Sequence, residues 1–217
     1  MLADLTPEEQ EDLRARGRTR RYKRGTVLYH QGDDSDWVVL LERGRVKVSS
    51  ATEDGHQAVL AVLSPGELVG ELSTFDGEPR SATVTAVDDV EAVVVTAPEF
   101  RAFLEDHPSV ALTLLETVGR RLRDADRIRL EFGGFDIEAR VARRLIDLAD
   151  RFGEGETGVV RISLPFSQEE LAAWVGASRE AVSKALGVFR ARGWLETNRR
   201  QLTVLDLAAL RQRGRGR

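Results

Sequence analysis

Ser167–Leu195 reads SQEELAAWVGASREAVSKALGVFRARGWL. Ser167 is placed to cap a helix that carries Leu171 and Val175 inward. Ala172 is small where two helices would cross, and Gly176 suits the tight turn between them. Ser178 caps a second helix whose apolar stripe is Val182, Leu186 and Phe189. Helix, glycine turn and helix, with a small residue four before the glycine, is helix-turn-helix spacing. Arg179, Glu180 and Lys184 project from the first turns of the second helix. Arginine can bind guanine O6 and N7 together, and glutamate can accept from cytosine N4. A plain helical hairpin with a solvated face has the same periodicity. The Gly176–Ser178–Arg179–Glu180 combination and a hairpin after it favour double-stranded DNA. That hairpin runs from Trp194–Glu196 through a turn near Asn198–Arg200 to Leu202–Leu205. Arg199 and Arg200 at its turn suit phosphate contacts.

Outward from this stretch the charge is uneven. From Ser167 to Arg217, 10 Lys and Arg stand against 5 Asp and Glu, so a total of −4 leaves −9 on the preceding 166 residues. A basic third on an acidic body fits a polyanion partner for that third, although a charged face is often merely solvated. Near the N-terminus Thr6, Pro7 and Glu9 form the signature of a capped short helix. Short β-rich runs then recur at Thr26–Tyr29, Trp37–Leu41, Arg45–Val48, Ala58–Leu63, Ala82–Val87 and Glu91–Thr96, punctuated by glycines. Val46 and Val48 alternate with Arg45 and Lys47, as in a half-buried strand. Many short strands with glycine turns indicate an antiparallel sandwich, roll or barrel. A further strand is expected at Val159–Leu164.

The period becomes helical from Pro98 to Phe132. Ala111, Leu115, Val118, Leu122, Ala125, Arg129 and Phe132 follow the spacing 4, 3, 4, 3, 4, 3, a heptad seam with Arg129 its polar member. The seam can pack on its own sheet or on a second copy of the chain, and its length on a polar helix favours the second copy. Gly133-Gly134 is expected to break the helix and serve as a hinge, with Asp136 capping the next helix. Ile137, Val141, Leu145, Leu148 and Phe152 give that helix its apolar stripe. The expected division is 1–107, 108–134 and 135–217, and the Arg/Gly tail from Arg211 is expected to fray.

Gly70–Val84, GELSTFDGEPRSATV, carries the second motif. Glycine before Glu71 allows close backbone approach, and the carboxylate can accept from a sugar 2′-hydroxyl. Arg80, ten residues after Gly70, suits a phosphate, and Ser81 adds hydroxyl and N–H donors. A turn with a surface Glu–Arg pair is the plainer alternative.

This string resembles the phosphate-binding cassette of cyclic-nucleotide-binding domains. With the β-rich body, long helix and helix-turn-helix, the chain resembles the cyclic-AMP receptor protein/fumarate-nitrate regulator family over about residues 4 to 210. The resemblance implies an α+β architecture: a cyclic-nucleotide-binding β-roll of the double-stranded β-helix or jelly-roll type, a long dimerisation helix, and a C-terminal winged helix-turn-helix. It implies that Gly70, Glu71, Leu72, Arg80 and Ser81 hold ribose and cyclic phosphate. Ser178, Arg179, Glu180 and Lys184 would read a TGTGA-like half-site, with Ser167 and Gln168 on phosphates. It also implies a homodimer, cyclic AMP as allosteric effector, and RNA polymerase as a partner.

The chain departs from the family where cyclic-AMP receptors place a threonine and a serine or asparagine against adenine. Ala125 and Asp126 stand there. Alanine contacts nothing polar, and an ionised carboxylate only accepts. Cyclic GMP and cyclic-di-GMP therefore stay open, as does a regulator without a small ligand. An Arg-x-x-Asp pattern found in some cyclic-di-GMP sites occurs at Arg123–Asp126, Arg121–Asp124 and Arg144–Asp147, too often to discriminate. The cassette alone would equally serve a nucleotide-sensing regulatory subunit that acts on a protein; the helix-turn-helix argues against that.

Composition sets the remaining bounds. With 41% hydrophobic and 31% charged residues and mean hydropathy −0.29, the chain reads as soluble and globular, with no membrane partner. It has no cysteine, which excludes disulfides, thiol nucleophiles, iron–sulfur clusters and thiolate-ligated haem. The acidic opening MLADLTPEEQEDL lacks a signal-like segment, so a cytoplasmic setting is expected. His30, His56 and His107 lie in three segments without ligand spacing, so no metal is expected. No nucleophile–base pair is evident, and the chain is not expected to be an enzyme.

Overall fold

A computed structural model describes residues 4–52, 57–155, 159–163, 167–198 and 201–216. Packing divides the chain into two compact units, residues 1–125 and 126–217.

The first unit opens with α1 (Pro7–Ala15), where Thr6 and Glu9 form the expected reciprocal cap. Eight strands follow in chain order: β1 (Arg18–Tyr22), β2 (Val27–Tyr29), β3 (Trp37–Arg43), β4 (Val46–Ala51), β5 (Gln57–Leu63), β6 (Leu68–Val69), β7 (Thr83–Ala86) and β8 (Val90–Thr96). They make two antiparallel sheets, ordered β1-β8-β3-β6 and β2-β7-β4-β5. The short helix α2 (Glu71–Asp76) lies between β6 and β7, and α3 (Ala97–Asp106) and α4 (Pro108–Gly134) follow β8.

β3 explains why both sheets are needed. Its run Val38–Leu41 is buried throughout. Val38 and Leu40 join Leu13, Phe100, Phe103, Val110 and Leu114 beneath the helices, whereas Val39 and Leu41 join Leu28, Val46, Val84 and Ala92 between the sheets. A strand covered on both faces reads as an apolar run rather than an alternation. β1 went unread in the sequence because RTRRY has no apolar alternation; it is mostly exposed and, among the described residues, pairs with β8 at the sheet edge.

The second unit begins with the end of α4. It continues through α5 (Ile137–Phe152), β9 (Gly153–Glu154), β10 (Val160–Ser163), α6 (Gln168–Val175), α7 (Arg179–Ala191), β11 (Leu195–Asn198), β12 (Gln201–Val204) and α8 (Leu207–Gly214). Its strands are ordered β11-β12-β10-β9, all antiparallel. Leu145, Leu148, Ile162, Leu171, Val182, Leu186, Phe189, Leu195, Leu202, Val204 and Leu210 are buried. Asp136 caps α5 through its side chain, as expected. Leu164, at the end of one expected strand, lies outside the described residues.

One expectation is met and one needs correction. α4 ends at Gly134, so the glycine pair closes it as expected: the Phe135 N–H donates to the Glu131 carbonyl at 3.1 Å, and α5 starts two residues later at Ile137. The Arg/Gly tail is not frayed through Gly214, because α8 buries Leu210 and Arg213 pairs with Asp136 and Glu138. Among the described residues no helix is long and apolar enough to cross a membrane.

A Cβ at Gly133 or Gly134 meets nothing within 4 Å. Replacing both with alanine is expected to raise stability by about 0.5–1 kcal/mol each, read from urea unfolding. A loss of stability would restore a requirement for glycine here.

Candidate functional site

The cassette is organised around Arg80, which is 3% exposed. Its Nη1 donates to the Gly70 carbonyl at 2.6 Å and to Ser73 Oγ at 2.7 Å. Its Nη2 donates to Ser35 Oγ and to the Trp37 carbonyl. The guanidinium also lies 4.2 Å from the Tyr29 ring centroid and 4.8 Å from that of Trp37. Burial lowers the Arg80 pKa and raises that of the Tyr29 hydroxyl. Arg80 Nε is buried without a hydrogen-bond partner, so this cation has one donor to spare.

Gly70 has φ +82°, and a Cβ built there would sit 2.2 Å from Arg80 Nη1. Only glycine lets the backbone turn and admit the guanidinium together. Glu71, 4% exposed, receives Arg121 Nη1 at 2.8 Å, while Arg121 Nη2 donates to the Leu68 carbonyl at 2.7 Å. The structure thus brings Gly70, Glu71 and Arg80 together and adds Arg121, Ser35, Ser73, Tyr29 and Trp37, which the sequence reading did not select. Arg121 had a legible signal: it stands three residues past Val118 and seven past Leu114, both packed toward the roll. Leu72 and Ser81 are exposed beside this cluster in sequence, and Ala125 and Asp126 are exposed on α4.

An anionic sugar phosphate fits this donor set. Arg80 supplies a fixed positive charge, and Glu71 supplies an acceptor held by Arg121.

In the second unit Ser178 Oγ accepts from the Ala181 N–H and caps α7, and Gly176 takes φ +66°. Arg179, Glu180 and Lys184 are exposed on the first turns of α7. Hydrogen bonds from its own backbone N–H and from Ser178 hold the Glu180 carboxyl below the usual range, so it is an ionised acceptor. Ser167 caps α6, reciprocally with Glu170, and Gln168 is exposed. Arg190 Nη1 donates to Thr197 Oγ1 at 3.2 Å, tying α7 to the hairpin. Arg199 and Arg200 lie outside the described residues, as does His56. His107 bonds Asp12 at 2.8 Å and His30 is exposed; no metal-holding cluster occurs among the described residues.

The heptad residues on α4 divide between its faces. Leu115 and Leu122 are 68% and 63% exposed, and Leu112, not selected from the sequence, is 64% exposed. Val118 instead packs beside Leu114 against the roll, and Ala111 is half-buried. Arg129 is exposed, and Phe132 lies against Gly176 in the second unit.

The cyclic nucleotide-binding domain family matches residues 19–107, and the Crp-like helix-turn-helix domain matches residues 139–213. A CRP-like cAMP-activated global transcriptional regulator of Mycobacterium tuberculosis is 34% identical over 194 residues, covering 89% of this chain and 87% of its own. This chain belongs to the CRP/FNR family of transcription regulators. The cyclic AMP receptor protein of Thermus thermophilus is 33% identical over 209 residues, covering 96% of this chain and 93% of its own. The solved structure of the c-di-GMP responsive global regulator CLP of Xanthomonas campestris shares the fold, with TM-score 0.81 and 23% identity over 92% of this chain and 99% of that one. The family assigns the roll to cyclic-nucleotide binding and the helix-turn-helix to DNA.

Gly70→Ala is expected to abolish nucleotide binding in calorimetry and to lower stability by at least about 1–2 kcal/mol for the positive φ alone. Retained binding would mean that Arg80 does not need its seat on the Gly70 carbonyl.

Proposed function

We propose that this regulator is a homodimer that binds cyclic AMP in the roll and then binds a TGTGA-like palindrome through α7. The buried Arg80, bonded to Gly70 and neighboured by the Arg121-held Glu71, carries the reading: a fixed cation and a fixed acceptor match a cyclic phosphate and a ribose hydroxyl. The cAMP-responsive relatives in Mycobacterium tuberculosis and Thermus thermophilus support it.

Leu112, Leu115 and Leu122 support a second copy, since exposed leucines at near-heptad spacing on a long helix need an apolar partner. Two α7 helices about 34 Å apart would enter successive major grooves. Ligand that favours one arrangement of the arms would shift the population toward it. In this reading RNA polymerase is the downstream partner, the setting is cytoplasmic and the chain catalyses nothing.

A second reading rests on Asp126. An ionised carboxylate accepts from an adenine amine but cannot donate to N7, and it can equally accept from guanine. Cyclic GMP or cyclic-di-GMP is the alternative effector.

Calorimetric titration with cyclic AMP, cyclic GMP and cyclic-di-GMP, each followed by anisotropy on a TGTGA-N6-TCACA duplex, separates the two. Cyclic AMP is expected to bind and tighten DNA binding, and Arg80→Ala to lose that response while ligand-free DNA binding persists. Tightening by a guanine nucleotide alone would transfer the role to Asp126, and an unaltered response in Arg80→Ala would remove the cassette from the mechanism. Arg179→Ala is expected to cost about 1–3 kcal/mol in DNA binding and to relax preference at one base pair. A uniform loss across duplexes would place Arg179 on phosphate.

A further inference from the structure

Within the second unit the last turn of α4 is held by charges that are almost fully buried. Glu131 is 3% exposed, and both carboxylate oxygens are engaged: Oε1 accepts from Arg143 Nη1 at 2.8 Å, and Oε2 from Arg144 Nη2. Arg144, equally buried, also reaches Asp147 Oδ2 at 2.8 Å and lies 5.8 Å from the Trp174 ring centroid on α6. Arg143 donates through Nε to the Gly214 carbonyl of α8 at 2.6 Å and lies 4.1 Å from the Phe135 ring centroid.

Arg140, one turn earlier on α5, continues this face. It lies 5.2 Å from the Phe132 ring centroid and donates to the carbonyls of Val175 and Gly176, each at 3.2 Å. Phe132 occupies the space that a side chain at Gly176 would need, since a Cβ there would come within 2.1 Å of the ring. Arginines at i, i+3 and i+4 on α5 therefore grip the end of α4 on one side and the turn of the helix-turn-helix on the other.

Buried ion pairs do little for net stability, because desolvation opposes the attraction; their best-attested use is to select one arrangement over others. We propose that Glu131 is a positioning residue for DNA recognition: through Arg143 and Arg144 it holds the last turn of α4 on α5, which keeps the half-exposed Phe132 against Gly176 and the turn before α7 fixed. This rests on the family's DNA binding and not on the identity of the effector. The glycines at 133 and 134 then lie within the clamped segment.

The test uses the full chain without nucleotide, as parent, Glu131→Gln and Glu131→Ala. Amide hydrogen exchange is expected to quicken about tenfold or more at Phe135, Gly176 and Ala177 in Glu131→Ala, with Leu202 and Val204 unchanged. Glu131→Gln, which keeps the shape and some hydrogen bonds, should restore part of the protection. Anisotropy on the TGTGA-N6-TCACA duplex and a scrambled duplex should show the preference between them shrinking in the same order.

A uniform rise in exchange across residues 126–217, or an equal loss of affinity for both duplexes, would make Glu131 merely structural and overturn the proposal. So would unchanged exchange at Gly176 and Ala177. If the ligand-free parent does not distinguish the duplexes, exchange at Gly176 and Ala177 alone decides. If Glu131→Ala does not fold, Phe132→Ala takes its place, with faster exchange at Gly176 and Ala177 expected and unchanged exchange there again overturning the proposal.

Discussion

A guanidinium buried among strands must be repaid wherever its donors point, and Arg80 imposes that condition on the part of the roll around it. Its Nη donors are met by the Gly70 and Trp37 carbonyls and the Ser35 and Ser73 hydroxyls, and its faces by Tyr29 and Trp37. Leaving such a cation unpaired in a low-dielectric site would cost several kcal/mol, so these partners cannot drift independently. The turn at Gly70, the start of β3 and the first turns of α2 are thereby fixed to one point. In the proposed function, a phosphate arriving there would meet a charge already oriented by these partners.

α4 distributes its side chains between different tasks along its length. In the first unit Val110, Leu114 and Val118 pack on the roll, and Arg121 reaches the Glu71 carboxylate. Leu112, Leu115 and Leu122 remain exposed on that stretch. In the second unit its last turn belongs to the DNA-binding fold through Glu131 and Phe132. Helical periodicity permits all of this at once, because positions three and four apart share a face while their neighbours point elsewhere.

Local signals carried much of the fold. The caps at Thr6, Asp136, Ser167 and Ser178 were readable because each is settled by a side chain and the N–H three residues on. The helix-turn-helix was readable because Gly176 and the apolar stripes of α6 and α7 fall within one short segment. β1 was not, since a polar edge strand owes its existence to the backbone of β8. The glycine pair was readable as the end of α4, which stops at Gly134 before the Asp136-capped α5, because glycine weakens a helix by about 1 kcal/mol per residue.

The sequence by itself determined the two chemical motifs, Gly70–Glu71–Arg80–Ser81 and Ser178–Arg179–Glu180–Lys184, along with the helical and extended periods around them and the absence of cysteine chemistry. Those are properties of residue type and short spacing. Tertiary structure alone decided that Arg80 is sunk between Tyr29 and Trp37, that Arg121 is the counter-charge of Glu71, that Val118 turns to the roll while Leu115 does not, and that three arginines of α5 converge on the end of α4. Each of these pairs elements far apart in the chain or chooses between faces of a helix. Such choices are made by which buried charges and apolar surfaces can be satisfied together, a condition no local pattern contains.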